Sequence, residues 1–571
     1  MNIPRPEHPQ PQFEREAWEN LNGIWEFEID KSASGADRKF YEREKLNDTI
    51  TVPFCPESKL SGICDVDFLN SVWYKRNIEI KNKDKRIILH IGACDYFTTV
   101  YINGKTVGTH KGGYTPIVFD ITDFVEIGDN TLVVHALDDV RSGKQPRGKQ
   151  ASFYYSLGCD YTRTTGIWQT VWLEYVPENH IKSVKYYPDA ENGTIHITAK
   201  VSGNGTFTAA AYYDGKNVGS VSSKNHGGLA DVTIELSEKH LWEVGNGRLY
   251  DLELTFGDDK VKSYFGLRDC YLDGYKFLIN GKSVFQRTVL DQGFYPDGIY
   301  TAPTEEDMIK DIQLSLDAGF NGARLHEKVF EPRFLYHCDK MGYLAWGEYA
   351  NWGLDHTVYE TMPTILREWE EAVERDFNHP AIIGWCPFNE TWDVNGRKQN
   401  DETIEMVYRT TKALDPTRPC IDTSGAYHVV TDIYDFHDYE QNAADFKERF
   451  DKLMTENILE DWLMKAGQKK DRVQYNGEPV FASEYGGIKW DETDEESWGY
   501  GEAPKTKEEF IERYKGLTEA LLKNNRIFGF CYTQLYDVEQ ERNGLYTYSR
   551  KPKFDMEIFR RINSQKAAIE E

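Results

Sequence analysis

The sequence is defined first by what it lacks. It has no CxxC pair, and its nine cysteines are an odd number, widely spread, so neither a disulfide framework nor a thiolate zinc site is expected. It has no run of 18 apolar residues, so no bilayer span is expected. The opening residues, Met1-Asn2-Ile3-Pro4-Arg5-Pro6, contain no apolar signal core, and the expectation is a cytoplasmic protein with reduced thiols. Basic residues are in short supply: 67 Lys and Arg face 94 Asp and Glu, a net charge of −27. Such a field repels phosphate backbones and anionic lipid, which argues against nucleic-acid or membrane partners. No low-complexity tract or internal repeat is visible, and the acidic run 491–496 reads as a solvated loop.

Aromatic residues, in contrast, are plentiful at 14%, and 571 residues are enough for several buried cores. The first part of the chain reads as short strands. Alternation marks Ile24–Ile29, Arg86–Ile91 and Thr131–Ala136, Asn103-Gly104 is a strong hairpin-turn signal, and Gly166–Glu174 is a strand of aromatic and β-branched character. The expectation for 1–180 is a jelly-roll β-sandwich. Residues 181–268 keep the β texture around Thr194–Ala199 and Asp231–Leu236, which suggests a smaller immunoglobulin-like sandwich.

From 269 to 571 the period changes. Thr304 precedes Glu305, Glu306 and Asp307, an N-terminal helix signal, and Met308, Ile309, Ile312 and Leu316 share a face before Gly319. Eight short apolar runs alternate with helical patterns such as Ile365–Phe377, Thr403–Leu414 and Lys507–Lys523. The runs are Val284–Leu290, Phe320–Leu325, Tyr343–Glu348, Ala381–Phe388, Pro419–Thr423, Asp432–His437, Pro479–Ser483 and Ile527–Thr533. This is the pattern of a (β/α)8 TIM barrel, which places its chemistry at the C-terminal ends of the strands. Those ends carry Asp291, Arg324, His326, Glu348, Asn389, Glu390, His437, Tyr439, Glu484, Gln534 and Asp537.

Two carboxylates stand out. Glu390 ends the fourth run and Glu484 the seventh, on nearly opposite walls, where two carboxyls can approach to about 5–5.5 Å, the separation a retaining glycosidase uses. Mutual repulsion at that distance is expected to raise one pKa and keep an acid protonated. A single glutamate after a buried strand is as often a loop residue. Two of them, in Asn389-Glu390 and Glu484-Tyr485-Gly486-Gly487, are harder to explain that way.

At these motifs the chain resembles glycoside hydrolase family 2, which includes β-galactosidases, β-glucuronidases and β-mannosidases. The resemblance rests on Leu21–Phe27, on Gly166–Glu174, on Asn378-His379-Pro380 through Asn389-Glu390, and on Ser483–Gly487, and it extends over essentially the whole chain. It implies that Glu390 is the acid/base, Glu484 the nucleophile and Asn389 the reader of the sugar 2-hydroxyl. It implies that Tyr439 orients the nucleophile, that His437 and Asp160 contact sugar hydroxyls, and that Arg324 braces the carboxylates. His326 stands one place earlier than its counterpart in relatives. Asp291 could reach hydroxyls, the alternative being a turn before Pro296, and Gln534 could add hydrogen bonding. No metal cluster is assignable, and the chemistry needs no cofactor. β-Glucuronidases of the family carry an Asn-x-Lys clamp after the last strand, where this chain has Glu541-Arg542-Asn543. The expected substrate is therefore a glycoside with a terminal neutral sugar. β-Galactoside leads, and α-L-arabinopyranoside, β-glucuronide, β-mannoside and β-galactofuranoside are the alternatives. A homo-oligomer is compatible with the resemblance. The rival from another class is a non-catalytic carbohydrate-binding protein, and a transglycosylase would share the same residues.

Overall fold

Strand-forming residues dominate the first 268 positions and fold as two sandwiches, as seen in a computed structural model that describes residues 3–394, 396–460, 473–491 and 497–570. Most of the acidic run, 492–496, lies outside the described residues. In the first sandwich a four-stranded sheet, in the order Trp18–Asn20, Val171–Val176, Arg86–Ile91, Ile117–Asp120, faces a six-stranded one. Their inward side chains, including Trp25, Phe27, Tyr74, Leu89, Val134 and Leu173, form one buried core. The Asn103-Gly104 turn joins Phe97–Ile102 to Lys105–Lys111, and both turn residues have positive φ, 50° and 75°, as a two-residue hairpin of this hand requires. The expected strand over 166–174 is interrupted. Gly166–Ile167 and Val171–Val176 are separate strands, because Trp168 turns into the interior and donates its Nε1 to Gly113 O at 2.8 Å.

The second sandwich pairs a three-stranded sheet (His180–Asp189, Thr194–Ser202, Gly228–Glu235) with a four-stranded one. Alternate residues Ile195, Ile197, Ala199 and Val201 point into its core.

The last part is a parallel barrel. Its regular strands are β1 (Gln286–Asp291), β2 (Gly322–Leu325), β3 (Leu344–Glu348), β4 (Ile382–Cys386), β5 (Tyr434–Asp438), β6 (Val480–Gly486) and β7 (Ile527–Thr533), in spatial order β4-β3-β2-β1-β7-β6-β5. The run expected as a strand at Pro419–Thr423 forms only isolated parallel bridges, Trp385 with Cys420 and Asn389 with Ser424, in the gap between β4 and β5. Side chains stand in for the missing ladder: Ser424 Oγ donates to Asp435 Oδ2 at 2.5 Å, and Asp422 Oδ2 accepts from the backbone of Val429 (2.6 Å) and Val430 (3.0 Å). The helix expected after Thr304 spans Glu305–Asp317. Thr304 and Asp307 close a reciprocal capping box, and Met308 and Ile312 face the core.

One excursion matters for the site. The segment 139–165 of the first sandwich leaves its own domain and lies on the barrel mouth. Arg147 N donates to Trp352 O at 2.7 Å, and Gln540 Nε2 donates to Gly158 O at 2.8 Å.

Candidate active site

β4 ends and the chain turns sharply at Glu390, whose φ of 50° lies in the left-handed region that non-glycine residues rarely occupy. Glu390 N donates to Ser424 O at 2.9 Å, so the bridging segment 419–424 fixes this turn. β6 carries Glu484 on the facing wall. One oxygen of each carboxylate and a ring nitrogen of His437 all lie within 4.8 Å of one another. That is close to the separation of about 5–5.5 Å at which one carboxylate can attack a carbon while the other handles a proton.

The two carboxylates have different surroundings. Glu484 Oε1 is 3.1 Å from Arg324 Nη1, while Tyr439 donates its hydroxyl to Oε2 in a short bond. Both bonds fix the carboxylate in place. Glu390 Oε1 lies 2.7 Å from His437 Nδ1. Burial alone would push the Glu390 carboxyl up, but the His437 hydrogen bond and charge, with Lys149 and Arg324, hold it below its ordinary value. Burial opposes protonation of His437, and Glu484 and Glu390 overcome it, so the imidazole titrates above its usual range. The expectation that like-charge repulsion would raise one of the pair is thus corrected: a cation sits between them. His437 Nε2 is 3.4 Å from Glu484 Oε1 and 3.0 Å from Ser424 Oγ.

Arg324, 1% exposed, is the organising cation. Its Nε pairs with Glu348 in a short contact, Nη1 also donates to Ser483 O (2.9 Å), and Nη2 donates to Asn389 Oδ1 (3.1 Å). A buried guanidinium needs such a complement of acceptors. Asn389 is further held by Asn351, whose Oδ1 accepts from Asn389 N at 2.7 Å. With Oδ1 taken by Arg324, Asn389 Nδ2 is buried without a partner, a donor free for a hydroxyl.

The remaining expected residues divide. His326 joins the cluster: Nδ1 is 3.1 Å from Glu348 Oε2 and Nε2 is 3.9 Å from Glu484 Oε1, and burial keeps the ring well below its ordinary pKa. Gln534 is fully buried just after β7. Its Oε1 accepts from Gln292 at 2.9 Å and its Nε2 has no partner. Asp160 reaches the barrel rim, but its carboxylate forms a short ion pair with Arg147. Asp291 does not reach the carboxylate pair. The Tyr536 hydroxyl (2.5 Å) and Gly293 N (2.9 Å) both bond to its Oδ1, and burial lifts it to about 6. Its expected hydroxyl contact gives way to this internal role.

Four residues were not singled out in the sequence. Lys149 enters the mouth from segment 139–165, and no spacing within that loop announces it. Tyr500 stacks on Tyr439 with ring centroids 3.4 Å apart. Ser424 bonds His437, and Glu541 accepts a short hydrogen bond from Tyr161.

The Glu390, His437, Glu484 group is the one set of three ligating side chains close enough to hold a cation among the described residues. A metal there would compete with Arg324 for Glu484 and with His437 for Glu390.

Comparison with known proteins agrees with the fold. Residues 18–177 match the glycosyl hydrolases family 2 sugar binding domain, 179–268 the glycosyl hydrolases family 2 central model, and 271–565 the glycosyl hydrolases family 2 TIM barrel domain. A putative β-glucuronidase of Formosa agariphila is 28% identical over 61% of this chain and 44% of its own length. The β-glucuronidase of Rattus norvegicus is 26% identical over 70% of this chain and 67% of its own length. The chain thus spans less than half of the first relative and about two thirds of the second. The solved Lactobacillus rhamnosus β-glucuronidase superposes with a TM-score of 0.81 at 20% identity, covering 99% of this chain and all of that one.

Proposed function

Because the chain belongs to glycosyl hydrolase family 2, we propose that it is a retaining exo-β-glycosidase. In this reading 1–180 and 181–268 are the sandwiches that support and complete the site, and 269–571 is the catalytic barrel. The observation that carries the reading is the carboxylate pair, with Glu484 and Glu390 oxygens inside 4.8 Å and each held by different partners.

Glu484, held by Arg324 and Tyr439, attacks the anomeric carbon. The bond from that carbon to the glycosidic oxygen breaks, and the leaving oxygen takes a proton from Glu390. The glycosyl–Glu484 ester is then opened by water. Glu390 accepts the water proton, the new hydroxyl bonds to the anomeric carbon, and Glu484 departs as a carboxylate. Two inversions give net retention. The His437–Glu390 pair keeps one proton at the site between turnovers, since His437 holds it when Glu390 does not. Asn389 Nδ2, free and buried, suits the sugar 2-hydroxyl, where a donor gains strength as the oxocarbenium ion develops. Gln534 Nε2 suits a second hydroxyl. Tyr439 fixes Glu484 for attack.

For the sugar, the named activities of the two curated relatives favour a β-glucuronide over the neutral β-galactoside expected from the missing Asn-x-Lys clamp. One observation favours a neutral sugar as the second reading. The loop after β7 presents a buried carboxyl, Glu541, where a uronate clamp would stand.

The test is release of nitrophenol from the nitrophenyl β-glucuronide, β-galactoside, α-L-arabinopyranoside, β-glucoside, β-mannoside and β-galactofuranoside. The proposal expects one dominant hit, with the β-glucuronide first. No release from any member of the panel counts against a glycosidase and for the binding-protein rival.

A further inference from the structure

Segment 139–165 carries into the barrel mouth a cation that forms no ion pair among the described residues. Lys149 is 6% exposed, and its ammonium sits 3.7 Å from the centroid of the Trp352 ring. That indole donates its Nε1 to Asn389 O at 3.2 Å, so Lys149 stacks on the ring that borders the Asn389-Glu390 turn. Among the described residues its Nζ makes no hydrogen bond and no ion pair, although Cys159, Glu541, Glu390 and Glu484 all feel its charge.

The placement is built into the chain. Gly148 has a φ of +55°, and a Cβ there would lie 2.2 Å from Glu327 O, so only glycine lets the segment seat this closely on the barrel. Gly148 N donates to Ala350 O at 3.2 Å, and Tyr161 N donates to Lys149 O at 2.7 Å.

Of the acids near it, Glu327 accepts from Trp352 N at 3.0 Å through Oε2, its Oε1 is buried without a partner, and burial holds its carboxyl well above the ordinary value. The other three are bonded elsewhere. Glu541 accepts from Tyr161 and, at 2.9 Å, from Asn543 Nδ2. Glu390 is bonded to His437, and Glu484 to Arg324 and Tyr439. Burial lifts the Glu541 carboxyl to about 7, so near neutrality it can carry a proton and need not repel a second anion. Burial disfavours the Lys149 charge, and Cys159, Glu541, Glu390 and Glu484 more than offset it, so the ammonium stays charged. None of them bonds it, which leaves its hydrogen-bond donors for an anion arriving with the substrate.

We propose that Lys149 is the specificity-determining residue of this site, its ammonium receiving the carboxylate of a terminal uronic acid. The proposal rests on the glycosidase reading above and deepens it. A neutral sugar could be held by the uncharged donors Asn389 Nδ2 and Gln534 Nε2. A full charge, desolvated and left open, matches a full opposite charge.

The test crosses residue with substrate. Wild type, Lys149→Met and Lys149→Arg are each assayed for kcat/KM on nitrophenyl β-D-glucuronide, on the corresponding glucuronamide, which keeps the shape without the charge, and on the β-D-glucoside. The wild type is expected to prefer acid over amide by on the order of 100-fold. Lys149→Met should lose that preference, the acid falling much further than the amide so that their ratio approaches one, and Lys149→Arg should retain part of it. Equal loss on all three substrates makes Lys149 structural and overturns the proposal. Wild-type release from the glucoside but not the glucuronide also overturns it, and leaves the glycosidase reading standing. No release from any substrate, with no covalent adduct from a 2-deoxy-2-fluoro glycoside, overturns both. The acid-to-amide ratio of the wild type alone decides the matter if the variants fail to fold: a ratio near one refutes the pairing.

Discussion

His437 Nδ1 lies 2.7 Å from Glu390 Oε1, while His437 Nε2 lies 3.4 Å from Glu484 Oε1. One imidazole thus bridges the two carboxylates that the chemistry has to keep distinct. It separates them electrostatically: Glu390 is held low by the histidine, and the histidine is held high by both acids.

This pair predicts a pH signature. The group lost at the alkaline limb of kcat/KM is the pair's shared proton, so that limb should lie above the ordinary histidine value of 6.5. Removing the ring in His437→Asn should move the limb to lower pH. An unmoved limb would assign the proton to another group. The same shift has a stability sign. A histidine raised on folding contributes stability that is fully present below 6.5 and is lost as pH rises through its folded value. Urea midpoints of wild type and His437→Asn should therefore converge as pH is raised.

Glu390 should show the behaviour of a proton donor. Glu390→Ala is expected to lose on the order of 10³-fold with a poor leaving group and far less with 2,4-dinitrophenolate, which departs without protonation. Equal losses with both leaving groups would remove Glu390 from the acid role.

Tyr439 donates to Glu484 Oε2, an interaction that positions the attacking carboxylate without adding bulk binding. Tyr439→Phe should lower kcat by about 10²-fold and leave KM within a few fold. A change confined to KM would point to sugar contact instead.

Arg324 should matter for stability as well as activity. Arg324→Met leaves Glu348 and Glu484 buried without their cation, a loss of about 3–5 kcal/mol in denaturant unfolding. A variant as stable as wild type would mean that these carboxylates protonate or rehydrate at little cost.

The barrel was legible in the sequence because its strands are short apolar runs ending in polar residues, and Glu390, Glu484, Arg324, His437 and Tyr439 sit at those ends. The apolar content of 419–423 predicts a full strand. In the structure Asp422 and Ser424 spend their side chains on neighbouring backbone and on Asp435, and only isolated bridges remain. Asp291 stands at a strand end like the others, but Tyr536, distant in sequence, captures its carboxylate. Lys149 was invisible for a different reason. It belongs to a sandwich loop, and only the contacts of Arg147 and Gly148 with the barrel bring it to the mouth. Periodicity reports which face of an element is buried. It does not report which remote loop will close over a site.

The central claim is that Glu484 forms a covalent bond to the sugar. The most direct measurement is intact mass followed by peptide mapping after incubation with 2,4-dinitrophenyl 2-deoxy-2-fluoro-β-D-glucuronide and its glucoside and galactoside counterparts. The account predicts one added fluoroglycosyl unit per chain, located on the peptide that contains Glu484 and absent from Glu484→Gln. A label on another residue, or turnover with inversion and no adduct, would contradict it.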